Sequence, residues 1–457
     1  MAAKGGSGGT AIRPPATSGQ RRLWAAEQLT GGTGEYNVPV ALRLHGPLDT
    51  SALQSAFQAL ITRHESLRST FDIGSGGTLR WAAQAPQECP VRVVDFAGGS
   101  SPADAVTEFV DSLAWKPFDL ASEVLRIVLL RLAVDDHVLL CVGHHVLFDD
   151  WATTVFFREL EVLYAAAVRG ITPSRVLPPL AYGYTDLSME ERRQLTRGGL
   201  DAQFSYWEKH LSDASPLSLP TDRPRPATGT ALAERYRFAL PGALIDRLTE
   251  VARSSRATLF MILMAGFHAL LREWTGQSDI TVGTAVTGRT TPDREALITC
   301  MVNTLAIRSA APREATFTEL LDEVRKRTLM AFAQADAPFD EVIARLPSRS
   351  DGLPLVRAMF EFQNTTMDVA ALHGDVGDLP TLQGLRTAAY PISRLTVRYD
   401  LELALGATQD GLSASIVYPV DLFDPQTIAT LAENYTAILR TAADTGHQHP
   451  ASPMAEA

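Results

Sequence analysis

The chain has 457 residues, 46% of them apolar and 20% charged, with a formal net charge of −11. That length suits two hydrophobic cores better than one, and the acidic balance argues against a nucleic-acid surface, which needs clustered Lys and Arg. No apolar stretch of membrane-spanning length is free of charges, the start MAAKGGSGGTAIRPP lacks the apolar region of a secretory signal, and Cys89, Cys141 and Cys300 have no paired spacing, so the expected protein is cytoplasmic, off membranes, and without a disulfide framework or zinc ribbon.

Residues 1–16 are rich in Gly, Ala, Ser and Pro and read as a flexible tail. Within it Gly5 to Gly9 match the GxSxG string of serine hydrolases, but a glycine-rich tail supplies neither the strand before the serine nor the helix after it. Val38 to Gly46 predicts a strand. Leu53, Ala56, Phe57, Leu60 and Ile61 recur at helical spacing behind the candidate caps Asp49 and Thr50. A second helix is expected at Asp104 to Leu113. The apolar run Leu125 to Val142, broken only by Arg126, Arg131 and Asp135-Asp136-His137, reads as two buried strands joined by a tight turn. HHVLFDD (His144 to Asp150) follows, and then a helix from Trp151 to Val168.

Prolines 173, 178, 179, 216, 220, 224 and 226 punctuate the next stretch around a short helix at Leu200 to Leu211, so a crossover is expected over 176–230. It separates a first lobe at 17–175 from a second at 231–445, with a tail at 446–457. Arg192, Arg193 and Arg197, at helical spacing, fit either a solvated helix face or a local basic patch for an acidic partner. The second lobe is read as strand Glu234 to Ala239, helices Pro241 to Ser254 and Thr258 to Trp274, and strand Ile280 to Val286. Strands near Ala358 to Phe362, Leu395 to Leu405 and Leu412 to Tyr418 precede a last helix, Pro425 to Leu439. This repeated order of elements points to a two-lobe α/β architecture.

HHVLFDD is where chemistry is expected, because an imidazole at the mouth of a core strand is sheltered by the sheet while the loop leaves room for substrate. Strand alternation puts Leu139, Cys141, Gly143 and His145 on one face and Leu140, Val142 and His144 on the other, so the two histidines should have different jobs. His145 is the candidate base, with Asp149 placed to brace the site. On its own the string fits structural histidines closing a core strand equally well. A metal site from Cys141, His144, His145 and Asp149 is disfavoured by that alternation, and no HExxH-type scaffold accompanies it.

Several strings, taken in order, resemble the condensation domains of nonribosomal peptide synthetases. They are TSGQRRLWAAEQL (Thr17 to Leu29, with Gln20, Arg22, Leu23 and Trp24 at matching places), RHESLRSTF (Arg63 to Phe71), HHVLFDD followed by Trp151, and the inter-lobe passage Tyr206 to Pro226. TCMVNTLAIR (Thr299 to Arg308), QADAPFDEVI (Gln334 to Ile343) and YPVDLFD (Tyr418 to Asp424) complete the series. The resemblance implies two chloramphenicol-acetyltransferase-like lobes arranged as a V-shaped pseudo-dimer with a central tunnel. It makes His145 the catalytic histidine, His144 its structural neighbour, and Asp149 a structural acid paired with an arginine, Arg68 as first choice and Arg289 as second. Asn303, Trp151 and Trp24 are placed at the tunnel.

The activity implied is transfer of an acyl or aminoacyl group from a phosphopantetheine thioester on a carrier protein to a small-molecule amine or alcohol, forming an amide or ester without an acyl-enzyme. No cofactor is permanently bound and no metal is implied; 4'-phosphopantetheine arrives on the partner carrier protein, and the enzyme is a monomer. The length matches the free-standing condensation enzymes, with an inactive docking module that recruits partner enzymes as the alternative. One departure stands out. Asp150 occupies the place of the family's glycine, where a left-handed residue or close backbone approach is expected, and its carboxylate beside His145 would raise the imidazole pKa or reshape the acceptor channel.

Overall fold

A computed structural model describes residues 13–30, 32–74, 76–86, 91–96, 103–226, 232–312, 314–347, 353–363, 379–393 and 395–445. The chain begins with α1 (Ser18–Thr30), β1 (Asn37–His45), α2 (Thr50–Arg63), β2 (Ser69–Ile73), β3 (Leu79–Ala83), β4 (Arg92–Asp95) and α3 (Ala103–Ala114). The hairpin β5 (Leu125–Ala133) and β6 (Asp136–His144) leads into α4 (Asp150–Val168), α5 (Tyr184–Thr196) and α6 (Asp201–Leu211). Then come β7 (Leu232–Pro241), α7 (Gly242–Ser254), α8 (Leu259–Thr275), β8 (Asp279–Val286), α9 (Pro292–Glu295), β9 (Asn303–Ala310), α10 (Phe317–Phe332) and α11 (Phe339–Arg345). The last elements are β10 (Ala358–Gln363), β11 (Arg386–Ala389), β12 (Leu395–Thr396), β13 (Leu401–Thr408), β14 (Gly411–Pro419) and α12 (Pro425–Thr445).

Two compact units result. The first comprises Met1–Gly199, Arg289–Met301 and Val369–Ile392, the second Leu200–Gly288, Val302–Asp368 and Ser393–Ala457. The lobes are therefore not contiguous in sequence, which corrects the expected boundaries at 175 and 231. α5 belongs to the first unit, and the expected second lobe lends it two segments. The reason is pairing: β11 adds to the edge of β1, with Leu42 opposite Ala389 and His45 opposite Arg386, while Arg289 is drawn in by a buried carboxylate. The expected first tail is shorter than 16 residues, because Pro15 bridges to Arg80 and Ala16 donates its N–H to Leu79 O. Gly5 to Gly9 and the tail at 446–457 lie outside the described residues.

Among the described residues the first unit holds a five-stranded sheet ordered β11-β1-β6-β5-β4 and the separate ribbon β2-β3. β6 is central, antiparallel to β1 and β5, and Val138, Leu139, Leu140 and Val142 are fully buried. A strand covered on both faces reads as a continuous apolar run, not an alternating one. α2 and α4 pack side by side with Phe57 against Phe156. Asp49 caps α2 by accepting Ala52 N–H at 2.9 Å, as its sequence position suggests.

Among the described residues the second unit holds a seven-stranded sheet ordered β12-β7-β14-β13-β10-β8-β9, in which β10 runs parallel to both neighbours. α8 is its central helix, buried from Met261 to Leu271 and capped by Thr258. The single strand expected over Leu395 to Leu405 is two: the chain bends before β13, where Asp400 turns to accept from Arg357 Nε at 2.6 Å. Among the described residues no single helix is long and apolar enough to cross a membrane.

Candidate active site at the end of a central strand

β6 ends its ladder with His144 opposite Asn37, and His145 adds one further bond by donating its N–H to Tyr36 O at 2.8 Å. The chain then turns tightly, because His144 O accepts the N–H groups of both Leu147 (2.9 Å) and Phe148 (3.2 Å). Gly143 permits this turn. A Cβ at that position would meet the Phe148 ring at 2.2 Å, so the ring closes over the glycine only because no side chain is there.

The two histidines do different work. His144 is fully buried, with Phe118 edge-on at 6.0 Å and Tyr36 at 6.3 Å. Its Nδ1 accepts the Val146 N–H at 3.1 Å, so the ring proton is on Nε2, which faces Glu27 Oε2 at 3.6 Å. His145 is half-buried, and its Nδ1 lies 2.5 Å from Phe148 O. A carbonyl oxygen only accepts, so Nδ1 carries the hydrogen and Nε2 keeps the lone pair. That is the tautomer a base at Nε2 requires.

Asp149 does not brace the imidazole; it anchors the loop. It caps α4 through Ala152 N–H to Oδ1 at 2.8 Å, and binds Arg289 at both oxygens, Nη1 to Oδ2 at 2.8 Å and Nη2 to Oδ1 at 3.0 Å. Met301 N–H adds a fourth donor to Oδ2 at 2.9 Å, and Arg289 Nη2 also reaches Thr299 O at 2.8 Å. Both charged side chains are buried, and a fork meeting a carboxylate with every lone pair engaged is the arrangement in which burial is tolerated. The partner is thus Arg289, the second choice, and not Arg68. The short helical turn Glu65–Arg68 directs Arg68 along the β2–β3 ribbon, where Nη1 donates to Gln84 O.

Asp150 needs no left-handed backbone. It is the first residue of α4, and the only described non-glycine residue with positive φ is Arg256. The conformational reason for a glycine there is therefore absent, and an acid in a first helical turn favours the helix dipole. Trp151 donates its indole N–H to Glu295 O at 2.9 Å, tying α4 to the same 289–301 segment that Asp149 holds. Trp24 is half-buried on α1, three residues before Glu27. In the second unit Asn303 holds a loop: Nδ2 donates to Ala335 O (2.9 Å) and Ala337 O (2.8 Å), and Oδ1 accepts from Phe339 N–H at 3.0 Å. Both amide hydrogens are spent on that loop, so its observed work is structural. Arg192, Arg193 and Arg197 are exposed at the end of α5.

Within the first unit, then, His144, His145, Asp149, Asp150, Trp151 and Arg289 are brought together. Gln20, Glu27 and the Phe148 carbonyl join them without having been marked as site residues. Glu27 carried one usable sign, a carboxylate on the same helical stretch as Leu23, Trp24, Ala25 and Ala26, whereas Gln20, between Gly19 and Arg21-Arg22, carried only its place in the TSGQRRLWAAEQL string. A backbone carbonyl carries none. Among the described residues no three His, Cys, Asp or Glu side chains converge as a metal site would require.

The family model described as Condensation domain matches residues 13–455. A linear gramicidin synthase of Brevibacillus parabrevis is 36% identical over 435 residues, covering 93% of this chain and 8% of that protein. Cyclosporin synthetase of Tolypocladium inflatum is 34% identical over 441 residues, covering 95% of this chain and 3% of that one. The chain thus spans a small part of these relatives' length. Among solved structures, the X-domain from teicoplanin biosynthesis matches with TM-score 0.83 at 27% identity, covering 95% of this chain and 96% of that one. SgcC5 from Streptomyces globisporus matches with TM-score 0.71 at 24% identity over 94% and 99% of the two chains, a likeness of fold alone. The fold is α/β of the chloramphenicol-acetyltransferase-like class, with an imidazole at the end of a central strand. The chain belongs to the condensation-domain family of nonribosomal peptide synthetases.

Proposed function

We propose that this chain transfers an acyl or aminoacyl group from the phosphopantetheine thioester of a carrier protein to a small-molecule amine or alcohol, making an amide or ester bond. One observation carries the reading: His145 donates Nδ1–H to Phe148 O, so Nε2 is the basic nitrogen. Nε2 takes the proton as the incoming N or O attacks the thioester carbonyl. The tetrahedral intermediate then collapses with the thiolate as leaving group, which recovers the proton, and no acyl-enzyme forms. General-base action supplies about 10²- to 10⁴-fold, and alignment of the two reactants corresponds to effective molarities on the order of 10⁵ to 10⁸ M. Asp149, Arg289 and Trp151 hold the loop and the 289–301 segment and touch no reacting atom in this reading. The protein works as a cytoplasmic monomer, with phosphopantetheine brought by the carrier and no resident cofactor or metal.

The test is mass spectrometry of products from a genuinely loaded carrier offered a matched amine and alcohol, with wild type and His145→Ala side by side. The expected result is an amide or ester with the wild type and a loss of at least about 100-fold in the variant, with carrier binding retained; equal turnover defeats the assignment. A second reading, a docking module without catalysis, has one observation in its favour. The teicoplanin X-domain matches as described above, and a solved structure holds that X-domain in complex with OxyB. Single turnover with the loaded carrier separates the two readings.

A further inference from the structure

Val146, the residue after the base, is gripped on both sides. Its N–H goes to His144 Nδ1 at 3.1 Å, and its carbonyl accepts Gln20 Nε2 at 3.0 Å. Gln20 is fully buried, and its amide orientation is fixed by its partners. Oε1 accepts from Thr17 N–H at 3.1 Å and from the Tyr184 hydroxyl, so the NH₂ end must be the one on Val146 O, with Thr299 Oγ1 at 3.5 Å beside it. His144 Nε2 in turn faces Glu27 Oε2 at 3.6 Å, just beyond hydrogen-bond distance. α1 therefore reaches the loop through two buried polar side chains, Gln20 and Glu27, seven residues and about two helical turns apart.

We propose that Gln20 and His144 form a two-sided clamp on Val146 that keeps the 144–148 turn closed and thereby fixes which nitrogen of His145 carries the proton. Gln20 is the positioning residue of this device. The contact from His145 Nδ1 to Phe148 O spans three residues, and Val146 is the hinge between them. Rotation of Val146 carries Leu147 and Phe148 with it and takes the carbonyl away from Nδ1. A neutral imidazole released from that carbonyl also populates the Nε2–H tautomer, which has a proton where the reaction needs a lone pair. The effect on rate rests on the acyl-transfer reading. The effect on the tautomer does not.

Gln20→Glu is the discriminating variant. It keeps the volume and still accepts from Thr17 and Tyr184, and in its ionised form, reached at the high end of the pH range, it has no hydrogen for Val146 O, whereas Gln20→Met loses both sides at any pH. With ¹⁵N-histidine labelling, the ring signals of His145 are those missing from His145→Ala. The wild type is expected to show a single Nδ1–H tautomer and Gln20→Glu a mixture. Its kcat is expected to fall about 10- to 100-fold with KM for the loaded carrier unchanged, a loss between that of one hydrogen bond and that of the base itself. A wild-type tautomer signature in folded Gln20→Glu and Gln20→Met overturns the clamp. Should both Gln20 variants fail to fold, Tyr184→Phe, which removes one of the two donors to Oε1, is expected to give a smaller shift the same way, and its absence overturns the clamp equally. Wild type that shows the single tautomer yet turns over no carrier-bound donor sinks the acyl-transfer reading and leaves the clamp standing.

Discussion

The turn from β6 into α4 has a counterpart in the second unit, the turn from β14 into α12. In the first, His145 N–H goes to Tyr36 O, and His144 O accepts from Leu147 and Phe148. In the second, Val420 N–H goes to Leu232 O at 3.1 Å, and Pro419 O accepts from Leu422 (3.1 Å) and Phe423 (3.2 Å). Matching bond for bond puts Val420 where His145 is, Asp424 where Asp149 is, and Tyr418 where Gly143 is. The backbone is alike and the electrostatics are not. Asp149 is 7% exposed and its arginine 1%, whereas Asp424 and its partner Arg223 are 51% and 46% exposed. Phe148 folds over a glycine, while Phe423 lies against Trp274 at 5.8 Å. The scaffold alone thus provides a strand end and a helix start. An imidazole in a fixed tautomer takes, in addition, a buried ion pair and a missing side chain.

The largest effect that would break this comparison is in the ion pairs. Arg289→Met should cost about 3–5 kcal/mol in urea unfolding, because it leaves Asp149 charged and buried. Asp424→Asn at the exposed pair should cost at most about 1 kcal/mol. Similar losses from the two would mean that burial does not distinguish the turns. Next comes Gly143→Ala, where a methyl meets the Phe148 ring; about 1–3 kcal/mol of destabilisation is expected, with a fall in kcat, since that ring and the carbonyl on His145 belong to one residue.

A pH experiment sharpens the contrast from the second unit. Burial lowers His268 to about 3 and His210 to about 4. Their folded pKa values are below the unfolded value near 6.5, so the unfolded chain binds more protons between them. Stability from these neutral histidines is intact above about pH 6.5 and is lost as pH falls toward 3 to 4. His268→Gln should flatten the slope of unfolding free energy against pH in that window, and an unchanged slope would remove His268 from the account. Smallest is Asp150→Gly, expected to lower stability by about 0.5–1 kcal/mol through loss of a helix-favouring residue, with His145 still on Phe148 O.

Much of the first unit was legible. The apolar run of β5 and β6, the Asp49 cap and the different duties of His144 and His145 follow from periodicity and alternation, which are local. What was hidden was long-range. Arg68 and Arg289 are equally plausible partners for Asp149 on charge alone, and the choice is made by where the 289–301 segment crosses the loop. β11 could not be assigned to the first unit for the same reason, since an edge strand's neighbour is set by the sheet and not by its own four residues. Asp150 misled in the other direction: a glycine's usual backbone role was expected at a position that is ordinary helix.

The noncontiguous first unit sets a timetable for synthesis. Asp149 emerges 140 residues before the arginine that neutralises it, a delay of roughly 7 to 30 s at ribosomal speed. The β11 strand that completes the sheet edge emerges later still. Until then the nascent chain carries Asp149 without the arginine and the Met301 N–H that hold it, so a fragment ending near Gly199 should stay open instead of waiting as a folded half.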